Sequence, residues 1–423
     1  MVTDWSEESI RAGFETAEKA FFILTNSRSF TAEETARAHR EVARNVCRVA
    51  RALHQDFLLV SRGDSTLRGH YPLETETLRQ TLEEMGEAPF DGEVLCPFFP
   101  EGGRYTAGNI HYVNEKGVLV PCGETEFARD KTFGYHSSDL GRWVEEKTHG
   151  AYRAADCTFI TLEQLRRGDV DQIAARLCAV TGFQKVVVNA LDYSDVTVFC
   201  AALYRALSKG KRFLFRTAAA FVKVAAGVTD QPLLGREQLL AQTGTKGGLV
   251  VAGSHTQKTT AQLTALHTLP QVVNVVFNQH LVLEPEAVFQ AEIDRVIGEC
   301  TSLLSEGKTV SVCTRRERLD LNSGDKEDEL RISVKISDAV TSIVARLQIQ
   351  PAFLIAKGGI TSSDIGTKAL RVKRARVAGQ VKPGIPVWRC GAQSKFPGLP
   401  YIIFPGNVGE ENTLKEIVAG LTD

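Results

Sequence analysis

No stretch of this 423-residue sequence approaches the ~18 consecutive apolar residues of a membrane-spanning helix. Its start, MVTDWSEESIRAG, has neither the basic n-region nor the apolar h-region of a secretory leader, so a cytoplasmic protein with no membrane partner is expected. Excess charge is missing too: 50 Lys and Arg stand against 51 Asp and Glu, which leaves no field to draw in a phosphate backbone or an anionic bilayer. Small-molecule work is expected rather than nucleic-acid binding. The nine cysteines fall singly, with no CxxC pair, and several lie inside apolar runs such as Val94-Leu95-Cys96, which reads as reduced, mostly buried thiols. GxxxxGK[ST], a GxGxxG after a strand and HExxH are all absent, and the nine histidines are dispersed. P-loop, dinucleotide-fold and zinc-hydrolase chemistry therefore have no motif support, and no protein-ligated metal is expected.

What is present is a long α/β pattern. At 423 residues the chain exceeds the ~250 to 300 at which one core usually divides, and 43% hydrophobic with 24% charged residues is ordinary globular composition. Two domains are expected, each an open, mostly parallel sheet with flanking helices. The most informative stretch is Pro351 to Leu370, PAFLIAKGGITSSDIGTKAL: a buried strand at Phe353 to Ala356, a Gly358-Gly359 loop, then a helix capped by Ser362, Ser363 or Asp364. Adjacent glycines let backbone N–H groups approach a phosphate, Thr361 and Ser362 add hydroxyls, and Lys357 offers a full charge. A tight βα turn whose glycines only relieve sterics fits the same residues.

In the first half, Trp5 to Ala20 reads as an amphipathic helix and Ala20 to Leu24 as a strand, ending in a polar turn where Arg28 holds an anion or is simply solvated. Thr31 to Glu34 is a capping box opening a helix to about Leu53. A strand at Phe57 to Val60 leads into Ser61-Arg62-Gly63-Asp64-Ser65-Thr66-Leu67-Arg68-Gly69-His70, the densest polar cluster of this half. Arg62 and Arg68 as carboxylate forks, Asp64 for hydroxyls, and the hydroxyls of Ser65 and Thr66 suit a small, hydroxylated anion. A charged loop with an internal Arg-Asp pair is the other reading. A helix at Pro72 to Met85 and a strand at Glu93 to Pro97 follow, then a glycine-rich loop with Arg104 at its centre that could close on the same ligand. A hairpin is expected over Ile110 to Pro121, a solvated charged segment at Glu124 to Asp130, a helix over Leu162 to Ala179, and strands at Lys185 to Asn189 and Phe213 to Arg216.

The pattern weakens between Thr217 and Lys246, which sets domains of 1–230 and 246–423. The second opens with a strand, Gly248 to Ala252, ending in Gly253 to Thr256. Buried strands at Val272 to Phe277, Thr309 to Cys313 and Pro400 to Phe404 follow, with an irregular strand at Gln380 to Trp388 and helices between them. Three strand-end loops, 253–256, 358–363 and 405–409, are rich in Gly with hydroxyl or amide groups, as a triphosphate held from several directions requires.

SRGDSTLRGHYPLETE in the first half, with VAGSHTQKTTAQL, KGGITSSD, KPGIPVW and FPGNVG in order in the second, resembles the four-carbon acid sugar kinases, which phosphorylate threonate, erythronate or 3-oxo-tetronate with ATP. The resemblance implies a substrate-binding N-terminal domain, a nucleotide-binding C-terminal domain and an active site in the cleft between them. It implies ATP contacts at Ser254, Gly358, Gly359, Ile360, Thr361 and Gly406, and substrate-site positions for Asp64 and Arg68; these two are the expected catalytic residues, and the local reading adds Arg28, Arg62, Ser65, Thr66 and Arg104 on the substrate. ATP and Mg²⁺ are the cofactors implied, Mg²⁺ arriving on phosphate oxygens, with a second copy of the chain left open as a partner. Two departures stand out. The family's opening DD-x-TG motif has no counterpart here, which implies an incomplete acceptor site and leaves room for a protein that binds without turnover. Ile360 also stands where the family's GG[ED]T carries a carboxylate, leaving Asp364 as the substitute.

Overall fold

The computed structural model describes the chain except residues 17, 18, 241–246, 254, 255, 318, 320–325, 407 and 423, and the side chains of 326–330. Two compact units form, Asp4–Asp230 and Gln231–Asp423, the latter joined by Met1–Thr3.

In the first unit, β1 (Val60–Ser61), β2 (Gly92–Cys96), β6 (Thr158–Ile160), β7 (Gln184–Val188) and β8 (Phe213–Thr217) build a parallel sheet in the order β1-β8-β2-β7-β6. Both faces are covered by helices, so β2 and β8 are buried at every residue, including the charged side chains of Glu93 and Arg216. Val94, Val186, Phe199, Phe215 and Phe221 lie in one core cluster. Three further strands, β3 (Arg104–Ala107), β4 (Ile110–Glu115) and β5 (Val118–Pro121), make a separate antiparallel sheet.

Several expectations are corrected here. The opening helix covers only Glu7–Phe14, capped by Ser6 and ending one residue past Gly13, a poor helix former. Residues 20–24 form no strand, only a single β-bridge at Ile23; Phe21 and Ile23 pack on Ile10, Val42, Val46 and Val49. The capping box and the helix Ala32–Leu53 stand as read. The helix expected over Leu162 to Ala179 is two, Leu162–Arg167 and Val170–Ala179, because Gly168 takes a left-handed φ of 73° and closes the first. Arg104 is not at a loop's centre but opens β3.

In the second unit, β9 (Leu249–Ala252), β10 (Val272–Phe277), β11 (Thr309–Thr314), β12 (Leu354–Lys357) and β15 (Pro400–Phe404) run parallel, and β13 (Ala375–Lys382) and β14 (Ile385–Cys390) extend the sheet antiparallel, in the order β10-β11-β9-β12-β15-β14-β13. The single irregular strand expected over Gln380 to Trp388 is thus a hairpin. Pro383 followed by Gly384 at φ 77° supplies its turn. The outer edge of β13 is covered where Val2 bridges Arg374 and Leu234 N–H donates to Gln380 O, which blunts an otherwise open strand edge.

All nine cysteines are free thiols, seven of them buried. Among the described residues no helix is long and apolar enough to cross a membrane.

Candidate functional site

The polar loop of the first unit leaves β1 and folds into a tight turn. Thr66 and Leu67 both hold left-handed φ, 56° and 62°, an unfavourable conformation for residues with a Cβ, and Ser65 bridges Arg68 across them. Asp64 stabilises the turn: its Oδ2 accepts the Thr66 N–H at 3.1 Å and its Oδ1 the Leu67 N–H at 3.0 Å. Its carboxyl is nevertheless raised above the usual range by loss of solvent, against the pull of Arg216, the two amides and Arg104.

Around this turn three guanidiniums converge. Arg28 Nη1 donates to Ser65 Oγ at 2.6 Å, and Arg68 Nη2 reaches the same oxygen at 3.2 Å while its Nε holds Ser65 O at 3.0 Å. Arg104 Nε donates to Thr66 Oγ1 at 2.7 Å, and its Nη1 to Gly102 O. Loss of solvent and the charge of Arg68 lower the Arg104 guanidinium, against the pull of Asp64. Arg28 is lowered likewise, by loss of solvent and then by Arg68. Positive charge is therefore concentrated here beyond what its neighbours neutralise, the condition that an anionic ligand relieves. The donors differ in availability. Of the five N–H groups of a guanidinium, Arg28 commits one to the described residues and is exposed, whereas Arg68 commits three, to Ser65 O, Ser65 Oγ and Asp130.

Sequence reasoning missed four residues of this constellation. Asp130, read as part of a solvated segment, sits 3.1 Å from Arg68 Nη1. The Phe127 ring lies under both Arg68 and Arg104, each guanidinium carbon 4.9 Å from its centroid. Phe127 inside a charged run was the available signal. Arg216 and Glu74 form a buried ion pair beneath the loop. Arg62, by contrast, is not brought to the cluster: it is exposed, over the Phe22 ring at 5.7 Å.

In the second unit the three glycine loops meet. Ala252, Lys357 and Phe404 are register partners on β9, β12 and β15, so Gly253, Gly358 and Pro405, the next residues of each, leave the sheet side by side. The order reverses at this point, since β9 leads outward to β10 while β12 follows on the other side, and such switch points are where open α/β sheets bind ligands. A Cβ on Gly253 would lie 2.8 Å from Thr361 Oγ1, and one on Gly406 3.9 Å from Gly358 Cα. Gly358 has φ 119°, which demands glycine; Gly359 has no such constraint, and a Cβ there would meet nothing within 4 Å. Ile360 is 74% exposed beside it. Ser254 lies outside the described residues.

Three side chains read as ligand donors here have structural duties instead. Lys357 is fully buried, its Nζ donating to Pro405 O at 2.8 Å and Gly406 O at 3.3 Å, so it ties two loops together. Ser362 Oγ is turned back on Ala356 O and Gly358 O. Asp364, the substitute carboxylate, is paired with Lys368 at 3.3 Å and accepts from Ser337.

Burial, and then the ammonium of Lys258, lower Lys357 from 10.5 to about 8. Between pH 8 and 10.5 the unfolded chain therefore binds more protons at this residue than the folded one, so its contribution to stability rises with pH across that window. Urea unfolding of Lys357→Met should give a flatter stability profile than wild type from about pH 8 upward; parallel profiles would show that Lys357 titrates normally.

Two family models cover most of the chain. The sugar-binding N-terminal domain matches residues 3–225 and the nucleotide-binding C-terminal domain matches 249–414. A curated D-threonate kinase of Cupriavidus necator is 26% identical over 359 residues, spanning 81% of this chain and 74% of that protein. The chain belongs to the four-carbon acid sugar kinase family. Two solved structures share the fold of this family member: one described as a putative tRNA synthase from Salmonella typhimurium LT2, with TM-score 0.65 at 20% identity over 94% of this chain and 87% of that one, and a Haemophilus influenzae protein, with TM-score 0.62 at 17% identity over 95% and 89%. Within the four-carbon acid sugar kinase framework, the arginine cluster falls in the sugar-binding match, and Gly253, Gly358 to Thr361 and Gly406 fall in the nucleotide-binding match.

Proposed function

We propose that this kinase-family chain moves the γ-phosphoryl group of ATP onto the terminal hydroxyl of a four-carbon sugar acid of the threonate, erythronate or 3-oxo-tetronate type, residues 1–230 holding the acid and 246–423 the nucleotide. The observation that carries the reading is the convergence of Arg28, Arg68 and Arg104 on Ser65 and Thr66, with Asp130 the one carboxylate in direct contact with those guanidiniums among the described residues. A carboxylate fits the open edge of Arg28 as a planar fork, and the hydroxyls of Ser65 and Thr66 offer exchange partners for those of the acid. The raised carboxyl of Asp64 makes it a better proton acceptor for the acceptor hydroxyl than an ordinary aspartate, and Arg68 neutralises charge beside it. In the other domain, the space at Gly359 fits a phosphate reached by backbone N–H groups, with Gly358, Ile360, Thr361 and Gly406 as further nucleotide contacts; Ser254, which lies outside the described residues, is proposed as another. Mg²⁺ would arrive with the nucleotide, on its phosphate oxygens, where it would neutralise charge on the transferred group. Phosphoryl transfer of this kind needs positioning and charge neutralisation more than covalent chemistry.

The test is an ADP-coupled assay with ATP, Mg²⁺ and a panel of four-carbon sugar acids. Acid-dependent ADP release from one of them is expected. Acid binding by calorimetry without ADP release would instead make the chain a binding protein, and neither would reject the reading.

A further inference from the structure

The two glycines of the 61–70 loop look in sequence like part of a ligand cradle, yet what they accommodate is a side chain from β8. Arg216 is 2% exposed, with Nη1 paired to Glu74 Oε2 and Nη2 donating to Arg68 O at 2.9 Å. A Cβ on Gly63 would lie 2.5 Å from Arg216 Nη1 and 2.5 Å from Glu74 Oε2; one on Gly69, which also holds φ 122°, would lie 2.8 Å from Arg216 Nη2. The loop is wrapped around this guanidinium. Glu74 is itself 2% exposed, and its other oxygen, Oε1, accepts the Ser27 hydroxyl at 2.7 Å, next in the chain to Arg28. One buried ion pair therefore grips the segments of two of the three convergent arginines: Arg68 through its own carbonyl, Arg28 through Ser27.

We propose that the Arg216–Glu74 pair is the positioning element of the acid site, setting the distance between the Arg28 and Arg68 guanidiniums and hence the preference for a carboxylate over a neutral group of the same shape. This rests on the reading that those arginines bind the acid. A guanidinium suits the role because it is planar and can hold a carboxylate and a carbonyl at once at fixed angles, which the single ammonium of lysine cannot do.

The proposal is tested by the binding and turnover of D-threonate against D-threonamide, the same polyol with a neutral amide in place of the carboxylate, in the full-length chain. Wild type should prefer the acid, and Arg28→Ala, as control, should abolish that preference. Arg216→Lys and Ser27→Ala should each lower the acid-to-amide ratio of kcat/KM by about tenfold with the KM for ATP unchanged. Ser27→Ala leaves the ion pair intact and keeps the test valid if Arg216→Lys does not fold. Ser27→Thr, which retains the hydroxyl, should restore the ratio. If both ligands weaken equally in Ser27→Ala and Arg216→Lys, the pair is only structural and the proposal fails while the acid-site reading survives. If wild type shows no preference, the acid-site reading falls and this proposal with it; if Arg28→Ala keeps the preference, Arg28 is not the fork and this proposal fails, while the acid site survives on Arg104.

Discussion

Arg28→Ala should lower kcat/KM for the sugar acid by about 100-fold, a loss of ~2.7 kcal/mol in transition-state stabilisation, while leaving the KM for ATP alone. Arg28 rather than Arg68 is expected to be the main fork, because Arg68 already commits its Nε and both terminal nitrogens to Ser65 and Asp130. Among the described residues Arg28 makes a single side-chain hydrogen bond, to Ser65 Oγ, and it is solvent-exposed. Truncation should not unfold the protein, since no buried partner is left without a bond. Steady-state kinetics on the acid selected by the panel decide the matter: a change of less than about threefold would remove Arg28 from the site and shift the role to Arg104, which leaves its Nη2 uncommitted among the described residues whereas Arg68 engages all three nitrogens.

Gly359→Val should weaken ATP binding by more than tenfold, beyond ~1.4 kcal/mol, with the melting temperature held. The separation of the two effects follows from the local geometry. Among the described residues outside its own helix turn, a Cβ at 359 meets no atom within 4 Å, and the backbone there is helical, so nothing described in the fold requires glycine. Only a ligand lying against the backbone would. Gly358→Ala is the contrast, because φ 119° penalises any side chain there and should cost stability as well as binding. Titration of ATP into Gly359→Val by calorimetry checks the assignment; wild-type affinity in the folded variant would take the phosphate away from this loop.

How much was legible in advance differs between the two units. In the second, strand, glycine loop and helix recur in order, and parallel strands bring their C-terminal ends to one edge, so the meeting of the loops after β9, β12 and β15 follows from local pattern plus sheet topology. Even there the polar side chains misled: Lys357 and Ser362 read as donors and Asp364 as a carboxylate for the ligand, but the first two serve carbonyls of the fold and the third pairs with Lys368, because a buried polar group takes the nearest partner. In the first unit, the loop at 61–70 announced itself by density of charge, whereas Arg28 and Arg104 stand out in the sequence as strand-end residues although no strand forms at 20–24 and Arg104 opens β3.

Sequence alone determined the α/β class, the two-domain division near residue 230, the capping box at Thr31 and the family, since these rest on periodicity, cap chemistry and motif order along the chain. The tertiary structure decided which guanidinium is open, why residues 63 and 69 are glycine, and that Asp130, Phe127, Glu74 and Arg216 belong with the loop. The reason is distance in sequence: Arg216 lies 148 residues from the carbonyl it holds and 142 from the carboxylate it pairs with. No local pattern records a contact that only the parallel pairing of β8 beside β1 and β2 creates.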